Sequence, residues 1–447
     1  LKFKLGKIIV TKFFFKKCFI FFWSFFVFLI EKMVVFFSCF SFLEKLQIKN
    51  RFFTKEILDL IEKEASQKGK RICFFLSSAG EYEQISPILH ELRDRCDTFI
   101  CLIFMSPSGY NFAKKRNERL LFYLAPFDRL SHWRKFYCAI GFASTYVVRH
   151  ELWPSFLLCA FQAGPLYLLN ASCPFSKESF FKRKTKKELY EFFTKIFVID
   201  ECFKDLFFNN YSADKNKVTV SGDSKYGSVL LRKKKSEEKV LFLEREFLAR
   251  YEKRKFHLIA GSVWHPDVLL LVKAIRELIY LHKLSVRVTL VPHKLSQKSL
   301  EKIKNLCNNY GLSSTFFSEV SLNQKIDPDV LIFNEMGSLA EVYALGDIAY
   351  LGGGLHARVH NVLEPVAYGL AVSFGPRYRT SYEAIKLLNS HLAEVVHTPS
   401  EIVNWCSYHF DAKFSQRHAL LNYLSEQQNA TRIVLETTYV RKEIDYQ

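Results

Sequence analysis

Twelve short apolar runs, five to nine residues long and separated by helical patterns, constrain what this chain can fold into. The first seven are ICFFLSS (72–78), TFICLIFMS (98–106), LLFYLAP (120–126), STYVV (144–148), PLYLLNAS (165–172), KIFVID (195–200) and KVTVSG (217–222). Runs this continuous suit strands of a parallel sheet, buried on both faces by helices. A charged stretch, LRKKKSEEK (231–239), follows and reads as an interdomain linker. The alternation restarts with FHLIAGS (256–262), VRVTLVPHK (286–294), DVLIFNEMG (329–337), DIAYLGGG (347–354) and AVSFGP (371–376). The expectation is α/β: two consecutive Rossmann-like domains, 45–230 and 231–447, behind an N-terminal segment 1–44, with the last helix free to pack back on the first domain. In such sheets ligands bind at the carboxyl ends of strands, so the loops after these runs are where chemistry belongs.

The N-terminal segment reads LKFKLGKIIVTKFFFKK and then CFIFFWSFFVFLIEKMVVFFSCFSFL (18–43), apolar except for Glu31–Lys32. Lysines crowd its front, and Lys45, Lys49, Arg51 and Lys55 crowd its back. Positive flanks on both sides ask for one membrane face, and a charge pair is costly at the bilayer midplane. A membrane-anchoring segment in the interface, or a shallow hairpin, meets both constraints, with the body cytoplasmic. No small-x-small cleavage site follows, against a signal peptide. The whole chain carries 64 Lys and Arg against 45 acids, net +19. That balance fits nucleic acid, an anionic membrane surface or a phosphorylated small molecule. Phe (45) and Lys are both abundant, as an AT-rich genome would make them, which leaves part of the charge without a function. The run KRKTKK (182–187) reads as a solvated helix face or a contact for lipid phosphates. No interleaved aromatic motif accompanies it, against nucleic acid. Eleven cysteines without a CxxC or a His/Cys cluster argue for reduced thiols and against a metal site.

The strand-end loops carry the candidates. SSAGEYE (77–83) places Glu81 after a strand and near a helix start, where acids are favoured by the free amides and the dipole. The small residues before it leave room for a ligand, so a general base is the alternative. SPSG (106–109) caps a helix or holds an anion. VVRHELWPS (147–155) groups Arg149, His150 and Glu151, as a buried ion pair or an arginine set against an anion. VSGDSKYGS (220–228) offers Lys225, suited to neutralise a leaving phosphate. In the second half GSVWHP (261–266) holds Ser262, and Pro292-His293-Lys294 ends another strand. NEMGSLAEVYALGD (334–347) has Gly337-Ser338 opening a helix. YLGGGLHARVHNVLEPVAYGLAVSFGP (350–376) has three glycines that permit close approach to a phosphate, then His360-Asn361 beginning a helix that presents Glu364 to a ribose. Several such loops in one domain point to a nucleotide.

In this order the motifs SSAGEYEQISPILHEL, SPSG, HELWPS, LLNAS, VSGDSKYG, GSVWHP, VPHK, NEMGSLAEVYALGDIAYLGGG and HNVLEPVAYGLAVSFGP resemble the Kdo transferases, over residues 72 to about 385. These are membrane-bound glycosyltransferases that attach 3-deoxy-D-manno-octulosonic acid (Kdo) to lipid A precursors in lipopolysaccharide biosynthesis. The resemblance implies a GT-B fold, two Rossmann-like domains facing across a cleft, with no metal and no cofactor. It implies CMP-Kdo as donor, a lipid A precursor as acceptor, and a place on the cytoplasmic face of the bacterial inner membrane. By it Glu81 matches the catalytic base, Lys225 a position that stabilises the transition state, and Arg149 a third catalytic position. Ser262, Pro292, His293, Met336, Gly337, Ser338, Asn361, Val362, Leu363 and Glu364 fall in the nucleotide-binding segments. Three departures stand out: many members carry an acid where this chain has Arg149, often an arginine in the slot of His293, and a glycine pair at Arg358-Val359. Glu83 falls where the motif varies. Two other readings stay open: a UDP-sugar-dependent GT-B transferase or nucleotide-sugar epimerase, and a basic membrane-surface binding protein with a degenerate nucleotide site.

Overall fold

Valine, isoleucine, leucine and phenylalanine without polar alternation can be satisfied only where both faces of a strand are covered, and the structure covers them. A computed structural model describes residues 18–32, 69–93, 98–116, 120–172, 178–250, 255–320, 326–412, 416–427 and 429–439. The chain forms two units, one of residues 1–228 with 428–447, the other of 229–427.

The first unit holds a seven-stranded sheet of β1 (Lys70–Leu76), β2 (Thr98–Phe104), β3 (Leu121–Leu124), β4 (Ser144–Val148), β5 (Leu166–Ala171), β6 (Lys195–Val198) and β7 (Val218–Val220). Its order is β3-β2-β1-β4-β5-β6-β7 and its pairs are parallel. From β1 the chain builds outward to β3, then returns to lay β4 on the other side of β1. The switch point therefore lies between β1 and β4, where Phe75 pairs in register with Val147. The helix Ala430–Thr438 belongs to this unit: the Tyr146 hydroxyl donates to Thr438 Oγ1 at 2.7 Å, and Val434 and Leu435 join the core of Phe74 and Leu102.

The second unit repeats the plan with β8 (Phe256–Val263), β9 (Val286–Pro292), β10 (Ser314–Phe316), β11 (Val330–Ile332), β12 (Ile348–Leu351), β13 (Ala371–Phe374) and β14 (Ala393–Val395). The order β10-β11-β9-β8-β12-β13-β14 sets its switch point between β8 and β12. Each of the twelve apolar runs contains a strand. The two strands that the runs do not announce, STF in β10 and AEV in β14, are three-residue edges that bury little.

The stretch 231–239 is not an extended linker. It is helical, the end of Ser224–Lys235 and the start of Glu237–Arg250. Arg232 to Lys235 fill the last turn of one helix, and Glu237 and Glu238 the first turn of the next, the placement helix dipoles favour.

Of the N-terminal segment, 18–32 is a helix, and the rest lies outside the described residues. Ile20, Val27 and Glu31 face the first unit and are buried. Trp23 Nε1 donates to Asp128 Oδ2 at 2.7 Å, Ser24 Oγ accepts the Leu130 amide, and Glu31 pairs with Arg129 at 2.7 Å. The acid that would be costly in a bilayer is thus spent on the protein. Phe19, Phe21, Phe22, Phe25, Phe26, Leu29 and Ile30 remain exposed. Among the described residues no helix is long and apolar enough to cross a membrane.

Candidate active site

At the switch point of the first unit, β1 ends at Leu76 and the helix Ala79–Arg93 starts three residues on. Ser78 Oγ accepts the Glu81 amide at 3.4 Å, and Glu81 Oε2 accepts the Ser77 amide at 2.5 Å. This is the reciprocal logic of an S-x-x-E capping box, so the helix-start reading of Glu81 is correct. The residue is nevertheless only 9% exposed. Burial pushes its pKa up to about 7; the Ser77 amide opposes this, the Glu151 charge adds to it, and the Arg149 charge and the Ser78 amide pull it down. Desolvation wins, and a carboxyl poised near neutrality can accept a proton.

The SPSG turn serves as a cap, Ser106 Oγ accepting the Gly109 amide at 3.0 Å. It also packs on the start of the Glu81 helix: a Cβ on Gly109 would stand 3.0 Å from the Ser78 carbonyl carbon and 3.1 Å from the Ala79 nitrogen. Gly80, by contrast, would meet only Ser78 Oγ at 3.9 Å, so its own α-carbon side is loosely packed.

Arg149 follows β4 in the left-handed region, φ 62°. Its Nε donates to Gln84 Oε1 at 2.8 Å; Gln84 Nε2 donates to Asp223 Oδ1 at 2.5 Å; and Asp223 Oδ1 accepts the Lys225 amide at 2.9 Å. Arg149 is therefore not half of a buried ion pair: among the described residues no carboxylate lies within pairing distance, and an anion remains a suitable partner. Glu151 Oε2 accepts Trp153 Nε1 at 2.6 Å, and burial holds the His150 pKa down. Asn170, also left-handed at φ 50°, exchanges two hydrogen bonds with Ser224, which fixes the turn before Lys225. The structure thus gathers Glu81, Arg149 and Lys225 at one end of the first sheet. Gln84, Asp223 and Asn170, which organise them, were not singled out from the sequence. For Gln84 a signal existed, since three residues after Glu81 is the same helix face.

In the second unit, Ser262 sits at a register shift between β8 and β9 with φ 52°. Pro292 closes β9, and the His293 amide donates to Val263 at 3.0 Å. Rings gather here: Trp264 stacks with His293 at 4.4 Å and His356 at 4.6 Å, and His293 stacks with His360 at 4.7 Å. Trp264 Nε1 donates to His360 Nε2, and burial lowers the His360 pKa to about 4, so that imidazole is neutral. Asp267, absent from the sequence candidates, organises this end. Fully buried, it accepts the Trp264 amide, the Tyr350 hydroxyl and the Gly353 amide at 2.8, 2.9 and 3.0 Å.

The glycine run 352–354 is not an open phosphate cradle. A Cβ on Gly354 would lie 2.8 Å from the Gly375 nitrogen, and one on Gly352 would run into the backbone of Ser262 and Val263. The Gly352 amide donates to Gly261, and the Gly353 amide to Asp267. These glycines let strand ends cross.

Met336 is 87% exposed, and Gly337 is open on its α-carbon side at φ 87°. Ser338 is buried ahead of the short helix Leu339–Val342. The helix carrying Glu364 starts at Leu363, later than the sequence suggests, because Asn361 Oδ1 turns back to accept the Leu363 amide. Asn361 Nδ2 also donates to Glu364 Oε1 at 3.2 Å. Val362 and Leu363 point into the core, so only their backbone can face a ligand. Among the described residues no cluster of three or more His, Cys, Asp or Glu could hold a metal ion.

Residues 47–228 match the family model described as 3-deoxy-D-manno-octulosonic-acid transferase (kdotransferase). The chain is 25% identical over 333 residues to the 3-deoxy-D-manno-octulosonic acid transferase of Aquifex aeolicus, covering 74% of this chain and 81% of that one. It is 25% identical over 299 residues to that of Rickettsia bellii, 64% of this chain and 65% of that one, just under two thirds of its length. Among solved structures, the UDP-GlcNAc 2-epimerase of Neisseria meningitidis superposes with a TM-score of 0.56 at 14% identity, over 82% of this chain and 99% of that one. A glycosyltransferase from Rickettsia africae gives 0.56 at 14% identity, over 83% and 98%. These two likenesses concern the fold, GT-B.

Proposed function

We propose that this chain, a glycosyltransferase by its likeness to the Kdo transferases, moves Kdo from CMP-Kdo to a lipid A precursor at the cytoplasmic face of a bacterial inner membrane. The observation that carries this reading is Glu81: a buried carboxyl at a sheet switch point, lifted to about 7. In the proposed step Glu81 takes the proton of an acceptor hydroxyl as its oxygen forms a bond to the anomeric carbon of Kdo. The bond from that carbon to the phosphate of CMP breaks, CMP leaves with the electron pair, and the configuration inverts. Arg149 and Lys225 supply positive charge for the donor's carboxylate and the departing phosphate. The second unit supplies the nucleotide site, with Glu364 for the ribose and the 292–293 and 336–338 segments for the rest. No metal takes part. The exposed phenylalanines of the 18–32 helix support docking on a membrane, and the net charge of +19 supports an anionic one.

The test is Glu81→Gln in purified protein given CMP-Kdo and a tetraacylated lipid A precursor, with product mass as the readout. Glutamine still accepts the Ser77 amide, so the variant is expected to melt close to the parent. It should bind CMP and lose at least ~100-fold in turnover, the scale of general base catalysis. The parent should work in excess chelator and be stabilised by CMP but not UDP, by about 2.7 kcal/mol at a hundred times Kd. Undiminished turnover in the variant sinks the assigned base; stabilisation by UDP alone sinks the donor.

A further inference from the structure

Arg232, in the stretch that the sequence presents as a linker, reaches the two loops proposed to hold the nucleotide. Its Nη1 lies 3.3 Å from Glu364 Oε1 and its Nη2 3.7 Å from Glu341 Oε1. Glu341 follows the Met336–Ser338 segment by three residues, and Glu364 ends the Asn361–Glu364 segment. One planar guanidinium therefore ties both segments together, a task for which a lysine has no second prong. Its neighbours add to the grip. Lys233 Nζ donates to the Ala367 carbonyl at 2.8 Å, Ser236 Oγ donates to Glu341 Oε1 at 2.9 Å, and Lys239 lies 3.6 Å from Glu341 Oε2.

We propose that Arg232 is the positioning residue for Glu364, and that through it the second unit prefers a ribonucleotide to a deoxyribonucleotide. This rests on the nucleotide-binding reading given above. Arg232 and Asn361 both hold Glu364 Oε1, at 3.3 and 3.2 Å. Fixing one oxygen fixes the plane of the carboxylate, and accepting two neighbouring hydroxyls of a ribose depends on that plane. Without the guanidinium, two like charges face each other and Glu364 loses a donor, so the ribose contact is the interaction to suffer.

The experiment is calorimetric titration of the full chain with CMP and 2′-deoxy-CMP, in the parent, Arg232→Gln and Arg232→Lys. The parent is expected to favour CMP by about tenfold or more, the value of one good hydrogen-bonding contact. In Arg232→Gln, CMP should weaken more than 2′-deoxy-CMP, which offers Glu364 only its 3′-hydroxyl, so that the preference shrinks several-fold; KM for the donor should rise and kcat stay. A merely structural role would weaken both nucleotides by the same factor and leave the preference intact. Should Arg232→Gln fail to fold, Arg232→Lys carries the test, with the preference reduced but not abolished. A folded variant that keeps the full preference overturns the proposal, as does a parent that binds both nucleotides equally. A parent that binds no CMP at all overturns the donor reading itself, and this inference with it.

Discussion

The Glu81 carboxylate accepts the Ser77 amide and yet titrates near 7, against an ordinary 4.5, because burial outweighs that hydrogen bond. The consequences for folding and for catalysis have opposite signs. Between about 4.5 and 7 the folded chain holds a proton that the unfolded chain has lost, so this group's contribution to stability falls as pH rises through that window. A general base must be ionised, so kcat/KM should climb through the same window towards a plateau above 7. Glu151 raises the Glu81 pKa and Arg149 lowers it. Glu151→Gln should therefore move the ascending limb to lower pH and Arg149→Gln to higher pH, whatever each does to the plateau. Rate profiles against pH check this, and a limb that moves the same way in both variants assigns the titration to another group. The position of Glu81 was legible, since a strand, two serines and an S-x-x-E spacing are local facts. Its environment was not. Arg149 meets Gln84 across 65 residues of chain and Gln84 meets Asp223 across 139, separations that no local pattern reports. The left-handed backbone at Arg149 and Ser262 was equally hidden, because neither residue type announces it.

The strands were legible because a run apolar on both faces has few other places to go. The misreadings were of elements whose partners lie elsewhere. Residues 231–239 look solvated, yet Arg232, Lys233, Ser236 and Lys239 spend their donors on Glu341, Glu364 and Ala367. The glycines 352–354 look like a cradle, yet their own backbone neighbours fill the space. The 18–32 helix carries its division of labour in its sequence only once the docked face is known. Trp23 reaches Asp128, which also accepts Trp133 Nε1 and the amides of Ser155 and Phe156 at the start of the helix Pro154–Ala163. The opposite face holds the exposed phenylalanines. Burying a phenylalanine side chain is worth about 1.5–3 kcal/mol. Phe22→Ser with Phe26→Ser should therefore cut binding to anionic vesicles by roughly 100-fold or more, while the melting temperature stays within a few degrees. Vesicle sedimentation and a melting curve check both halves; unchanged sedimentation would remove this helix from the membrane contact.

At the scale of the molecule, the two parallel sheets and their switch points put the candidate groups where α/β folds bind ligands. The doubled architecture was legible because the strand–helix alternation stops and restarts. The return of the last helix to the first unit, open in the sequence, is realised by Tyr146 finding Thr438 across 292 residues, a partner that no local pattern names. A chain ending at 427 would leave that hydroxyl and the bed of Val434 and Leu435 uncovered, at a cost of about 3–6 kcal/mol from the two apolar side chains alone. That is comparable with the whole stability of a domain. Such a truncation is expected to lower the first unit's melting transition by more than ten degrees or to abolish it in calorimetry; an unshifted transition would show the helix to be dispensable. The same placement bears on biosynthesis. Domains usually mature in the order in which they leave the ribosome. Here the first unit waits for the helix Ala430–Thr438, which is synthesised after the second unit, so the unit bearing Glu81 is completed only after the other has been made.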